Sequence, residues 1–194
     1  MRPVDLTDIE LDQARYAARR DRVRAAAIAT KKHRRLPLGD IVTLVFENRE
    51  TVLFQIQEMA FAEGMTTDQQ VQVELDTYNP LLPDSHTLSA TLFIEIPDMA
   101  TLKAELPRLA GLEHALRITV GAETAKAVGE EGRSREDYTS TVHYLRFPLT
   151  DGQRDSFRDP SVPASISIDH PAYSDVADIN GELRRSLIAD LALD

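Results

Sequence analysis

Between Leu88 and Ile96 the chain alternates without a break. Leu88, Ala90, Leu92, Ile94 and Ile96 fall on one side, and Ser89, Thr91, Phe93 and Glu95 on the other. A period of two is what a strand with one buried face requires; a helix would scatter those five apolar residues around its axis. Such a strand needs partners for its backbone and a layer over its apolar side. The chain is therefore expected to build a sheet with something packed on it.

The flanking sequence supplies the other elements. Thr7-Asp8-Ile9-Glu10 fits a capping box, and the Ala-rich run Arg24–Ala29 continues the helix it opens. Pro37 and Gly39 break the chain, and Ile41–Phe46 reads as a buried strand. Asn48 caps a helix with Val52, Leu53, Ile56, Met59 and Ala60 at helical spacing, ended by Gly64. Thr67–Gln70 caps another, stopped by Pro80 before a loop from Leu81 to Thr87. Asp98 opens a short helix limited by Pro107 and Gly111. Leu116–Val120, a short run near Ala125–Val128, Thr141–Phe147 and Ala164–Asp169 read as further strands. Glu130–Asp137 reads as a charged, mobile loop, and Leu183, Leu187, Ile188 and Leu191 mark a last amphipathic helix. Strands joined by short connections favour antiparallel pairing. The expectation is an α+β fold: a mainly antiparallel sheet of four to six strands with N-terminal and C-terminal helices packed on it. No repeat or linker divides residues 1–194, so a single domain is expected, with a basic helical arm (1–36) on an acidic body (37–194).

Composition excludes several chemistries. With no cysteine among 194 residues, this chain holds no disulfide, thiolate nucleophile or Cys-ligated metal or cluster. No apolar run is long enough to span a membrane, and the acidic, polar start MRPVDLTDIELDQ carries no signal-peptide core, so a cytoplasmic protein is expected. The net charge of −10 argues against general nucleic-acid binding. The charge is uneven: nine of the 22 Lys/Arg residues lie between Arg15 and Arg35, opposed there only by Asp21. From Leu36 onward, 12 basic residues stand against 27 acidic ones. The first reading is that the arm docks on its own body. The alternatives are an anionic ligand, a partner protein or a nucleic acid. Arg19, Arg20, Arg34 and Arg35 are the partner-binding candidates.

Few residues announce chemistry. The five histidines form no metal-binding spacing, so no metal site and no cofactor are expected. His143 lies on the apolar side of its strand with Leu145 and Phe147, a place for a hydrogen-bonded core histidine. Arg146, on the other side, needs an anion, and Glu95 is the obvious internal partner. Asp169-His170-Pro171 ends a strand, where an Asp beside a His could move protons; a structural turn is the plainer reading. The strand-to-helix junction Glu47-Asn48-Arg49 lacks a Gly-rich loop and reads as an ordinary cap. Glu74 and Asp76, at an unfavourable helix C-terminus, suggest pairing with Arg34 and Arg35. The full set of ligand-binding candidates is Arg49, Glu58, Glu95, His143, Arg146, Asp169, His170 and Tyr173.

Six segments, taken together, resemble an uncharacterised bacterial family, domain of unknown function 3501. They are Val42–Arg49 (VTLVFENR), Gln55–Met59 (QIQEM), Glu74–Asn79 (ELDTYN), Leu88–Glu95 (LSATLFIE), Tyr144–Phe147 (YLRF) and Ile168–Tyr173 (IDHPAY). The resemblance covers most of the chain from about Lys31 to Tyr173. It implies no activity. It implies neighbouring genes for rubrerythrin and a heterodisulfide-reductase-like iron–sulfur protein, hence a place beside redox or peroxide-stress proteins. The leading expectation is a non-enzymatic accessory protein that binds one of those proteins. The alternatives are a binding protein or enzyme for an anionic small molecule, with an Arg/His/carboxylate pocket, and a His/carboxylate metal-binding protein. Homo-oligomerisation is left open.

Overall fold

The structure, a computed structural model, describes residues 1–130 and 138–192. A short 3-10 turn at Leu6–Asp8 leads into α1 (Gln13–Lys32). β1 (Arg35–Leu38) and β2 (Val42–Phe46) form a hairpin, followed by α2 (Arg49–Ala62) and α3 (Asp68–Tyr78). Then come β3 (Thr87–Ile94), α4 (Met99–Glu105), β4 (Leu116–Val120), β5 (Glu123–Lys126), β6 (Val128–Gly129) and β7 (Val142–Pro148). The chain closes with α5 (Asp151–Arg158), β8 (Ala164–His170), β9 (Tyr173–Asp178) and α6 (Gly181–Leu191). The strands make two antiparallel sheets, one in the order β1-β2-β3-β7-β6 and the other β5-β4-β8-β9. The fold is α+β.

The alternation in β3 fixes where the core sits. Leu88, Ala90 and Leu92 face inward with Leu44 and Phe46 of β2 and Leu145 and Phe147 of β7. Leu116 and Ile118 of β4 and Ile166 and Ile168 of β8 belong to the same cluster, so the inner sides of both sheets meet. Phe157 of α5 and Leu183, Leu187 and Leu191 of α6 join it. Truncating a fully buried member such as Phe147 to Ala should cost about 3–5 kcal/mol.

The five-stranded sheet is covered on its other side too. All five residues of β2 are buried, because helices lie over the outer face. A second apolar cluster does this, with Val52, Ile56 and Ala60 of α2, Val71 and Leu75 of α3, and Val4 and Ile9 of the N-terminal segment. Caps set the helix starts: Asn48 Oδ1 accepts from Thr51 N, and the side chains of Thr67, Asp98 and Thr150 do the same for their helices.

Several expectations change. The opening cap is Asp5 on the 3-10 turn, not Thr7, and α1 begins one turn later behind Asp12. Pro37 does not break the chain. It sits in β1, the edge strand, where a missing N–H costs no ladder bond. The second sheet, β9 and α5 were not anticipated. β9 alternates exposure with polar residues and lacks the apolar stripe that marks a strand. Of the Glu130–Asp137 loop, residues 131–137 lie outside the described residues.

Candidate functional site

α2 separates two concave regions. On one side it faces α1, and on the other the outer face of the five-stranded sheet. In both, polar and apolar side chains converge outside the core.

The α1–α2 side is an open groove of about 540 Å³. α1 is twenty residues long but buries only Tyr16 and Ala27, and Ile28 is 59% exposed. A helix that packs on a core hides an apolar stripe about a third of its circumference wide; this one does not. Tyr16, Val23, Ala27, Leu53 and Phe54 form an apolar floor. Arg19 and Arg22, three residues apart and so on one face, line it opposite Asp8 and Glu50. The groove is held together at one end by Glu58. Its carboxylate accepts from Tyr16 Oη at 2.8 Å and from two nitrogens of Arg20, the closer at 2.7 Å. The Arg20 hydrogen bonds hold Glu58 below the usual carboxylate range, and burial beside Glu58 pushes the Tyr16 phenol up.

The sheet side is a smaller, more enclosed cavity of about 230 Å³. Strand register builds its floor: Val45 pairs with Thr91, and Thr91 with Tyr144, while Phe93 pairs with Val142. Glu47 leaves β2 beside this row, buried, and accepts from Thr91 Oγ1 at 2.5 Å and from the Thr51 hydroxyl. Tyr78 at the end of α3 meets Tyr144 edge to face, with ring centroids 6.2 Å apart.

Three of the nine clustered cations dock the arm on its own body. Arg20 pairs with Glu58, Arg34 with Asp190 of α6, and Arg35 with Glu95 at 2.6 Å. Three of the four partner-binding candidates are thus engaged internally, leaving Arg19. Arg22, Arg24 and Lys32 also have no ion-pair partner among the described residues. Arg34 is the most committed. It is 1% exposed, donates to the carbonyls of Phe46 and Glu47, and locks α1's end to α6. Neither Arg34 nor Arg35 reaches Glu74 or Asp76, as the sequence had suggested, because the strand following α1 carries them away to β2 and α6.

The eight ligand-binding candidates are not brought together. Arg49 pairs with Asp8 at 2.5 Å and pins the N-terminal turn. Glu58 and Glu95 serve the pairs just described. Arg146 does not meet Glu95: the register sets it opposite Ser89, six residues before Glu95, and it bonds the Pro80 carbonyl and Asp84, the latter at 3.0 Å, while Arg35 and Thr43 engage Glu95. His143 is buried, its Nε2 2.8 Å from Thr139 Oγ1 and 2.9 Å from the Ser140 carbonyl. A carbonyl only accepts, so Nε2 carries the proton. His170 Nε2 lies 3.1 Å from the Ala110 carbonyl, and its Nδ1 accepts from Ala172 N at 3.2 Å. Both ring nitrogens serve the backbone, which leaves none to act as a base. Asp169 is exposed beside it, pointing to the other face. The Tyr173 hydroxyl donates to the Leu38 carbonyl and ties β9 to the β1–β2 turn. Arg146 and His170 therefore border no common pocket, and among the described residues no three His, Asp or Glu side chains gather to hold a metal.

Sequence reasoning passed over Glu47, Tyr78, Thr91 and Tyr144. The signal was present: these four, with Gln55 and Phe93, lie in five of the six segments that carry the family resemblance. The pairing register needed to see that the segments meet is not written in any one of them.

The fold and its helix-covered outer sheet define a two-sheet α+β protein with a groove and a cavity flanking one helix. It belongs to the family described as protein of unknown function (DUF3501), whose family model matches residues 3–191. It is similar to a solved protein from Burkholderia pseudomallei K96243, itself described as a novel protein of unknown function. The two share 36% identity, with 94% of this chain and 95% of that one covered and a TM-score of 0.86. No curated protein matches the chain. Among the described residues no helix is long and apolar enough to cross a membrane.

Proposed function

We propose that the chain is a non-enzymatic accessory protein that docks an acidic, partly apolar segment of a partner protein in the α1–α2 groove. The observation that carries this reading is the exposure of α1. A twenty-residue helix with two buried residues is tied down by the Arg20–Glu58 pair and by Arg34 just past its C-terminus, and much of its surface is left uncovered. Beside it the apolar floor lies under Arg19 and Arg22. An apolar centre with an arginine rim matches the composition of protein interfaces. The overall charge of −10 does not oppose this, because exposed charges more than about 8 Å away are screened at physiological salt. The family resemblance supplies two partners to try, rubrerythrin and the heterodisulfide-reductase-like iron–sulfur protein. The cytoplasm is the compartment this reading requires.

The test is calorimetric titration of the purified chain with each of those proteins at about 50 mM and about 300 mM salt. One of them should bind, more weakly at the higher salt, because Arg19 and Arg22 lie at the rim. Failure of both to bind at low salt would refute the assignment of these partners and of a charge-led interface together.

A further inference from the structure

The cavity on the sheet side of α2 is separate from the docking groove, and its chemistry is different. At its base lies Glu47, 9% exposed. Its two carboxylate oxygens accept from the hydroxyls of Thr91 and Thr51, and no Lys, Arg or His among the described residues forms an ion pair with it. The guanidinium of Arg34 donates to the backbone oxygens of Phe46 and Glu47 and to Asp190, not to the Glu47 side chain. A carboxylate taken out of water and matched only by hydroxyls remains short of a positive charge. The cavity beside it carries the rings of Tyr78 and Tyr144, set edge to face at 77°. Aromatic faces attract cations, most strongly where water is excluded. Val52, Leu81 and Phe93 complete an apolar wall.

The geometry points to a binding site for a small organic ammonium ion. The ammonium donates to Glu47, the tyrosine rings flank it, and the alkyl portion lies against Val52, Leu81 and Phe93. A cavity of about 230 Å³ holds a molecule of about eight heavy atoms, taking roughly 30 Å³ for each water-sized group. Lys31 stands at the rim, its ammonium 5.6 Å from the Phe54 ring centroid. Its charge disfavours a second cationic group on the ligand, so a monoamine fits better than a polyamine. An anion would have to enter against Glu47, which separates this site from the anionic-ligand pocket expected from the sequence.

The 194-residue chain is titrated by calorimetry and two-dimensional NMR with n-butylammonium chloride, with n-butanol as a neutral isostere and sodium butyrate as the anion. Saturable binding of n-butylammonium, at least tenfold tighter than n-butanol, with shifts confined to residues around Glu47, is the expected result. Glu47→Gln should weaken it at least tenfold. If that variant does not fold, Gln55 of the same lining replaces it: Gln55→Glu should tighten n-butylammonium binding and Gln55→Lys should weaken it. Equal affinity for n-butanol, preference for butyrate, or no saturable binding of n-butylammonium overturns the assignment. The docking proposal is untouched by any of these results, since Arg19 and Arg22 lie across α2.

Discussion

Arg34 shows how much a single residue in a basic run can differ from its neighbours. In sequence it is one of nine cations between Arg15 and Arg35. In the fold it is buried against Asp190, Ser186 and two carbonyls, 152 and 156 positions away for the side-chain partners. Burial pushes the Asp190 carboxyl above its usual range, and Arg34 only partly offsets this. Arg34→Met should therefore lower stability by about 3 kcal/mol, read as a fall in urea midpoint at unchanged slope, because it strands a buried carboxyl and two carbonyls. Arg34→Met with Asp190→Leu should recover part of that loss. Glu58 tests the α1–α2 contact through pH. Its folded pKa is depressed, so its contribution is fully present above the unfolded value and is lost as pH falls through the folded one. Urea midpoints measured from pH 6 down to pH 3 should decline less steeply in Glu58→Gln than in the wild type; parallel profiles would contradict the role given to the Arg20 and Tyr16 contacts.

At the level of elements, local chemistry carried much of the fold. The period in Leu88–Ile96, the Asn48 and Thr67 caps and the Leu183–Leu191 stripe each stand in the structure where their residues indicate. What could not be read depended on distant partners. β1 contains Pro37, and only its edge position makes that acceptable. β9 has no apolar stripe because one of its faces reaches solvent. The candidate site was hidden for the same reason, since Glu47 and Tyr144 meet through β2–β3–β7 pairing. Arg146 and His170 looked functional by residue type alone, and both turned out to be satisfied by backbone carbonyls. The turn between β1 and β2 offers a test at this scale. Gly39 has φ +66°, and a Cβ there would collide with the Tyr173 hydroxyl and the Asp175 carboxylate. Gly39→Ala should cost at least about 1–2 kcal/mol from the left-handed backbone alone, and more once Tyr173 is displaced from Leu38. A thermal midpoint equal to that of the wild type would show that the β1–β9 tie does not matter.

For the whole molecule, the two sheets and their shared core make a rigid base, and the helical layer over the outer sheet carries the concave surfaces. Three of the nine clustered cations, Arg20, Arg34 and Arg35, pair with the body, and Arg19 and Arg22, which make no ion pair among the described residues, line the groove. On the reading we propose, Arg20, Arg34 and Arg35 anchor the arm, and the face that carries Arg19 and Arg22 receives the partner. Arg19 and Arg22 make no ion pair among the described residues, so reversing them should leave the fold intact. The most direct test is the dissociation constant of the complex with rubrerythrin or the iron–sulfur protein, compared between the wild type and Arg19→Glu/Arg22→Glu at one low salt concentration. The constant should rise at least tenfold in a variant whose circular dichroism and urea midpoint match those of the wild type. An unchanged constant in that folded variant would contradict docking at Arg19 and Arg22.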